Sequence, residues 1–118
     1  MRWQYYQAKY EESINKLKSA RDRLKILAPE IQHITNIINR LRRRIASLKR
    51  QLTVATTPEG IAEAKSKIQS VESELREKES QLRDLLSEER ELKEIIASER
   101  RKLNRLLKEF ISEFRRSM

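Results

Sequence analysis

The chain has 118 residues, of which 37% are hydrophobic and 38% charged, with one glycine, two prolines and no cysteine. This composition is typical of long helices and coiled coils, and it excludes a disulfide-stapled scaffold and a thiolate metal site. The net charge is +9, and no apolar run approaches the ~18 residues of a membrane-spanning helix, so we expect no membrane span.

The first half of the chain repeats apolar residues every three or four positions. With Trp3 at heptad position a, the a and d positions are apolar as far as Leu52, with Ser13 as the exception. A heptad pattern sustained this long predicts a coiled-coil helix over residues 2–54. Pro29 falls on its outer face without shifting the phase. Two interpretations stay open, namely a kink in one helix and a break at which Pro29 begins a new helix.

The segment TVATTPEG predicts a turn at residues 55–57. Thr57 is a favoured N-cap residue, and Pro58 suits the first position of the helix that follows. We therefore expect a second helix over residues 58–116. Its apolar seam contains Lys78, Glu89 and Glu99 where apolar residues would be expected.

These elements predict an all-α fold: one domain, 1–118, built as a long antiparallel two-helix coiled-coil hairpin. In the expected register Arg23 comes close to Glu89, and Arg42 can reach Glu72 across the hairpin. The apolar stripes are wider than a two-helix seam needs, which favours a homodimer forming a four-helix assembly. A monomer of three helices, broken at Pro29, is the alternative.

Positive charge is concentrated in the stretch NRLRRRIASLKR, and residues 31–58 contain no acid. Arginine forks suit phosphate oxygens, so this stretch and a second basic block near the end of the chain are candidate nucleic-acid contacts. The alternative is a solvated helix face that keeps the chain soluble. The candidate residues are Arg40, Arg42, Arg43, Arg44, Lys49, Arg50, Arg101, Arg105, Lys108 and Arg115.

All aromatic residues lie near the two termini, which an antiparallel hairpin brings together. They predict either a docking patch for a partner or an aromatic plug that closes the end of the bundle, with Tyr5 as the exposed exception. The residues are Trp3, Tyr5, Tyr6, Tyr10, Phe110 and Phe114.

Motifs for catalysis and metal binding are missing from the sequence. His33 is the only histidine, and its Glu-x-x-His partner Glu30 does not share an inward heptad position, so no di-iron site is expected. Gly60 stands alone, so there is no glycine-rich phosphate loop. We expect no catalytic residues, no metal and no cofactor.

These observations favour a non-enzymatic, cytoplasmic, basic coiled-coil protein. It would contact DNA or RNA through phosphates, with little dependence on nucleotide sequence. Two alternatives stay open: an adaptor or regulator that docks on a larger protein machine, and a structural subunit of a filament or particle.

Overall fold

The computed structural model describes residues 2–118, which form two α-helices. α1 spans Trp3–Val54 (52 residues) and α2 spans Pro58–Ser117 (60 residues). The beginning of α1 lies against the end of α2, with the Trp3 and Phe110 ring centroids 5.6 Å apart. The predicted all-α antiparallel hairpin is confirmed, and the predicted helix ends agree with the structure to within one residue.

Pro29 lies inside α1, and the helix continues through it. The interpretation in which Pro29 begins a separate third helix is wrong. The proline is exposed, so its ring lies away from the apolar seam, while Leu27 two residues earlier is 0% exposed. Burial of the inner face on both sides of Pro29 compensates for the lost backbone hydrogen bond.

The chain divides into two compact units, each of which contains part of both helices. Unit 2 contains Ala28–Leu86, and unit 1 contains the chain up to Leu27 and from Ser87 onward. The turn between the helices therefore belongs to unit 2, and the two ends of the chain belong to unit 1.

Unit 2 has an apolar core formed by both helices. Leu41, Ile45 and Leu48 of α1 are buried, and their spacings of four and three place them on one face. Val71 of α2 is buried against them, and Leu75 packs at the edge of the cluster. The heptad pattern in the sequence therefore corresponds to the buried seam of this unit.

Unit 1 buries a polar pair within its seam. Ser13 and Glu99, two of the four polar interruptions predicted in the seam, are 7% and 4% exposed. A hydrogen bond from Ser13 keeps the pKa of Glu99 below its usual range, although burial opposes this. The ammonium of Lys102 lies 3.1 Å from the same carboxylate. A shift in register would separate Glu99 from Ser13, so the pair favours the observed alignment.

Arg23 joins the two helices through a different carboxylate from the predicted one. Its guanidinium donates to both oxygens of Glu88, at 2.6 and 3.1 Å, and this holds the pKa of Glu88 below its usual range. The expected partner, Glu89, instead pairs with Lys93 within α2 at 3.5 Å. Heptad positions align the backbones, but a long arginine side chain reaches carboxylates on neighbouring positions.

Arg42 and Glu72 line one surface depression, but Arg42 forms its ion pair with a different carboxylate. The guanidinium of Arg42 lies 4.0 Å from Glu79, two turns further along α2. Both side chains are partly exposed, so this pair stabilises the hairpin only slightly.

The turn ends in the predicted helix cap. The hydroxyl oxygen of Thr57 accepts a hydrogen bond from the Gly60 amide at 3.0 Å, and the Thr57 carbonyl accepts one from the Ile61 amide at 3.0 Å. Glu59 in the first turn of α2 adds a negative charge at the positive end of the helix.

Replacing Leu27 with alanine tests the importance of the seam. The side chain is fully buried, so Leu27→Ala should lower the free energy of unfolding by about 3 kcal/mol. Val54→Ala is the control, because Val54 is 74% exposed and its truncation should change the value by less than about 0.5 kcal/mol. Urea unfolding followed by circular dichroism measures both. Equal losses in the two variants would contradict the assignment of the buried face.

The cap of α2 makes a second prediction. Thr57→Ala should lower the free energy of unfolding by about 1 kcal/mol. A Cβ at Gly60 would lie 2.9 Å from the Thr57 hydroxyl oxygen, so Gly60→Ala should not bring its usual gain of about 1 kcal/mol while Thr57 is present. In the Thr57→Ala background the gain should appear. Urea unfolding of the four proteins of this double-mutant cycle tests the coupling, and additive effects would refute it.

Candidate binding surfaces

The first candidate surface is a group of basic side chains on α1 in unit 2, here called the α1 basic patch. All of its members are exposed, and α1 carries no acid from Ile31 to its end at Val54. The α1 basic patch consists of Arg40, Arg42, Arg43, Arg44, Lys49 and Arg50.

Helix geometry arranges part of this patch as a stripe. Arg40, Arg43 and Arg50 follow each other at spacings of three and seven residues, so they share one face over about 15 Å of helix axis. Asn36 and Asn39 line a surface depression together with Arg40, Arg42 and Arg43. The depression therefore combines guanidinium groups with amides that can donate hydrogen bonds to an anion.

The α1 basic patch is almost uncompensated by acids. Within residues 2–118, Arg42 has a carboxylate oxygen at 4.0 Å, that of Glu79, and none lies so close to the other members of the patch. Lys49 lines a depression with both Lys65 and Glu72 of α2, so the facing helix adds one positive and one negative charge here. The outer charges therefore remain available to an anionic partner.

The second basic group lies on α2 in unit 1 and is here called the C-terminal basic patch. Its members are exposed, and none has a carboxylate of residues 2–118 within 4.0 Å. Arg105 lines a depression of mixed charge that also includes Glu99 and Glu109, whereas Lys108 and Arg115 directly follow the exposed apolar residues Leu107 and Phe114. The C-terminal basic patch consists of Arg101, Arg105, Lys108 and Arg115.

The structure brings the aromatic rings of the two chain ends together in unit 1. The Phe110 ring lies between those of Trp3 and Tyr6, with centroids 5.6 and 5.5 Å away in edge-to-face geometry. Phe114 stacks on Phe110 at 6.3 Å. Tyr6 is 6% exposed, so it fills the end of the seam as a plug would.

Two of the aromatic residues placed on the seam by the heptad pattern are not buried there. Trp3 is 58% and Tyr10 is 54% exposed, and this corrects the expectation. These rings are large, and α2 alone cannot cover them. They line one side of an apolar groove of about 530 Å³, whose other side includes Leu103 and Leu107. Tyr5 is exposed, as expected.

Glu113 is a structural contact that the sequence reasoning missed. Its carboxylate accepts a hydrogen bond from the Tyr6 hydroxyl. It also accepts one, at 3.1 Å, from the backbone amide of Arg2, the residue just before α1 begins. The hydrogen bond from Tyr6 is the main cause that keeps the pKa of Glu113 below its usual range, and it also raises the pKa of Tyr6. The signal in the sequence that could have indicated this contact is the position of the acid, three residues after the aromatic Phe110.

Other kinds of site are not found in the described part of the chain. Within residues 2–118 there is no group of three His, Cys, Asp or Glu side chains placed to hold a metal ion, and His33 is exposed. No helix over the same residues has an apolar stretch long enough to cross a bilayer.

Comparison with protein-family models, with curated proteins and with solved structures finds no match for this chain.

The carboxylates that bind across the hairpin predict a pH dependence. A group whose pKa is lowered by folding stabilises the folded state above its unfolded pKa, and this contribution is lost as the pH falls through the folded value. Folding lowers the pKa of Glu113 and Glu88 below the usual glutamate value of 4.5, so the thermal midpoint should fall on acidification below that pH.

The variant Glu113→Gln should weaken this acid dependence, because glutamine does not titrate. Thermal unfolding measured across a pH series is the test. Glu94→Gln is the control, since the Glu94 side chain is exposed and forms no ion pair within residues 2–118. If Glu113→Gln and the unmodified chain keep the same acid dependence, Glu113 is not one of the linked groups.

Proposed function

We propose that this chain is a non-enzymatic binding protein whose α1 basic patch contacts the phosphates of DNA or RNA. The observation that supports the proposal is the exposed stripe of arginines, which has almost no acidic partners in the described chain. A run of arginine on an isolated helix face is often only solvated. Here the acids of the facing helix, Glu72 and Glu79, lie beside Arg42 and Lys49, and no carboxylate of residues 2–118 pairs with Arg40, Arg43 or Arg50, which favours an anionic ligand for these three.

The chemistry of the patch fits phosphate in particular. A guanidinium presents a planar fork that binds phosphate oxygens in pairs, and it stays charged at any physiological pH. The amides of Asn36 and Asn39 add neutral donors beside Arg40 and Arg43. Because the patch lies on the outside of one helix, it would follow a phosphate backbone without reading base edges. Binding would then depend on salt and hardly on nucleotide sequence.

A homodimer, located in the cytoplasm, is part of the proposal. Ile26, Leu86 and Ile95 are 55%, 39% and 43% exposed, and a second copy that covered them would remove apolar surface from water. A dimer would also present two α1 basic patches to one polyanion, which raises the effective affinity. Light scattering across a range of protein concentrations measures the mass.

The alternative of an adaptor that docks on a larger protein machine is favoured by a different surface, the apolar groove of unit 1. An exposed groove lined by aromatic and leucine side chains is a feature of protein contacts. The groove and the α1 basic patch belong to different units, so the two functions are compatible within one chain.

The proposal predicts how binding changes with salt. The logarithm of affinity for duplex DNA should fall linearly with the logarithm of salt concentration. Replacing Arg40, Arg43 and Arg50 with glutamine should reduce the slope by roughly three, if each arginine contacts one phosphate. Fluorescence anisotropy with labelled DNA and RNA at several salt concentrations measures the slope.

The matched control replaces three exposed arginines of α2 with glutamine, at Arg76, Arg83 and Arg90, which changes the net charge by the same amount. If the α1 basic patch is the contact, this control variant should leave the slope of log affinity against log salt concentration nearly unchanged. Equal loss in both triple variants would show that net charge alone drives binding. Absence of binding at low salt would overturn the proposal.

A further inference from the structure

The residues that line the apolar groove of unit 1 differ in chemistry from those at its rim. On one side the groove is lined by Leu103 and Phe110 of α2, and on the other by Trp3 and Tyr10 of α1. Leu107, which also lines the groove, is 55% exposed. Water therefore covers aromatic and leucine carbon that the two helices alone cannot bury, and this favours an apolar partner.

The apolar surface continues along α2 beyond the groove. Ile111 and Phe114 follow Leu107 at spacings of four and three residues, so the three side chains share one helix face. Leu107 is 55% exposed, Ile111 39% and Phe114 46%. From Leu103 to Phe114 this face extends about 16 Å along the axis, which corresponds to about three turns of a packed helix.

The rim on the α2 side is basic. Arg100 lies seven residues before Leu107, so the two share one helix face. Lys108 and Arg115 each follow an apolar residue of that face, Leu107 and Phe114, and so lie at its outer edge. None of these three cations has a carboxylate of residues 2–118 within 4.0 Å. The α1 side differs, because its Glu11 lines the groove and accepts a hydrogen bond from Gln7 at 3.4 Å. The groove is therefore electrostatically one-sided.

We propose that this groove binds an acidic amphipathic helix from a partner protein. The apolar face of that helix packs against Trp3, Tyr10 and Leu107, as a third helix lies in the furrow between two others. Carboxylates on one flank of the partner helix pair with Arg100 and Lys108, and its other flank, facing Glu11, is neutral or basic. The charge asymmetry therefore orients the partner as well as selecting it.

Charge also distinguishes this occupant from the two others that the surface could take. A second copy that met the groove with the same surface would bring two basic rims into one interface, where Glu11 is the only acid that lines the groove of each chain, and like-charge repulsion opposes this excess of positive charge. A nucleic-acid backbone would satisfy the rim but would leave the carbon of Leu103 and Leu107 without an apolar partner. The inference is independent of the nucleic-acid proposal, because the α1 basic patch belongs to unit 2.

The test uses the full chain and its own tryptophan, since Trp3 is the only one in the sequence. The probe is a synthetic helical peptide of about four turns, with leucines at spacings of three and four and glutamates on one flank. Binding should shift the Trp3 emission to shorter wavelength, because the ring loses contact with water. A control peptide with lysine in place of every glutamate should not produce this shift.

Variants locate the contact. Leu107→Gln should weaken peptide binding about tenfold, and Lys108→Gln should weaken it less and reduce its salt dependence. Val54→Gln is the apolar control, because Val54 is 74% exposed and does not line the groove. Arg90→Gln is the matched basic control, because Arg90 is exposed and does not line the groove. Both controls should bind as the unmodified chain does, and circular dichroism verifies that each variant remains helical.

Each other outcome overturns the inference. Equal binding of the acidic and lysine peptides, or no binding of either, would do so. So would a dimer in light scattering that Leu107→Gln dissociates, because a second copy would then occupy the groove. A larger shift of Trp3 emission with single-stranded DNA than with the acidic peptide would assign the surface to nucleic acid. None of these results depends on whether the α1 basic patch binds phosphate.

Discussion

Burial of one apolar seam between two antiparallel helices is the constraint on which the rest of the structure depends. Each helix buries the face that carries its heptad positions, as Leu27, Ile38 and Leu48 do in α1 and Val71 does in α2. With a single partner helix, a helix can cover only one narrow stripe of its surface. Every side chain outside that stripe stays in contact with water, and for this reason both candidate binding surfaces lie outside the buried seam.

Electrostatic contacts adjust this arrangement but do not build it. Arg23–Glu88 and Arg42–Glu79 join the helices at partly exposed positions, where ion pairs contribute little to stability. The buried pair of Ser13 and Glu99 is different, because a charged group within the seam needs its hydrogen bond. Positive charge that the hairpin does not use is left on the outer faces of α1 and α2, and these faces support the proposals of function.

The two candidate surfaces differ in chemistry, which assigns them to different partners. The α1 basic patch in unit 2 is polar throughout and includes Asn36 and Asn39 among its neighbours, so it suits a phosphate backbone. The groove of unit 1 has exposed carbon at its centre, in Trp3 and Leu107, and cations only along one rim. A phosphate backbone would leave that carbon wet, whereas an amphipathic helix would cover it.

Local patterns in the sequence were enough for the helix limits, the cap at Thr57 and the buried face, because these depend on heptad periodicity and on contacts within a few residues. Tertiary structure decided four other features. It showed that α1 continues through Pro29, that Arg23 binds Glu88, and that Trp3 is exposed while Glu113 anchors the start of α1. These depend on the reach of long side chains and on how much of a large ring one neighbouring helix can cover. Heptad positions specify which face a residue occupies, but not how far its side chain extends beyond that face.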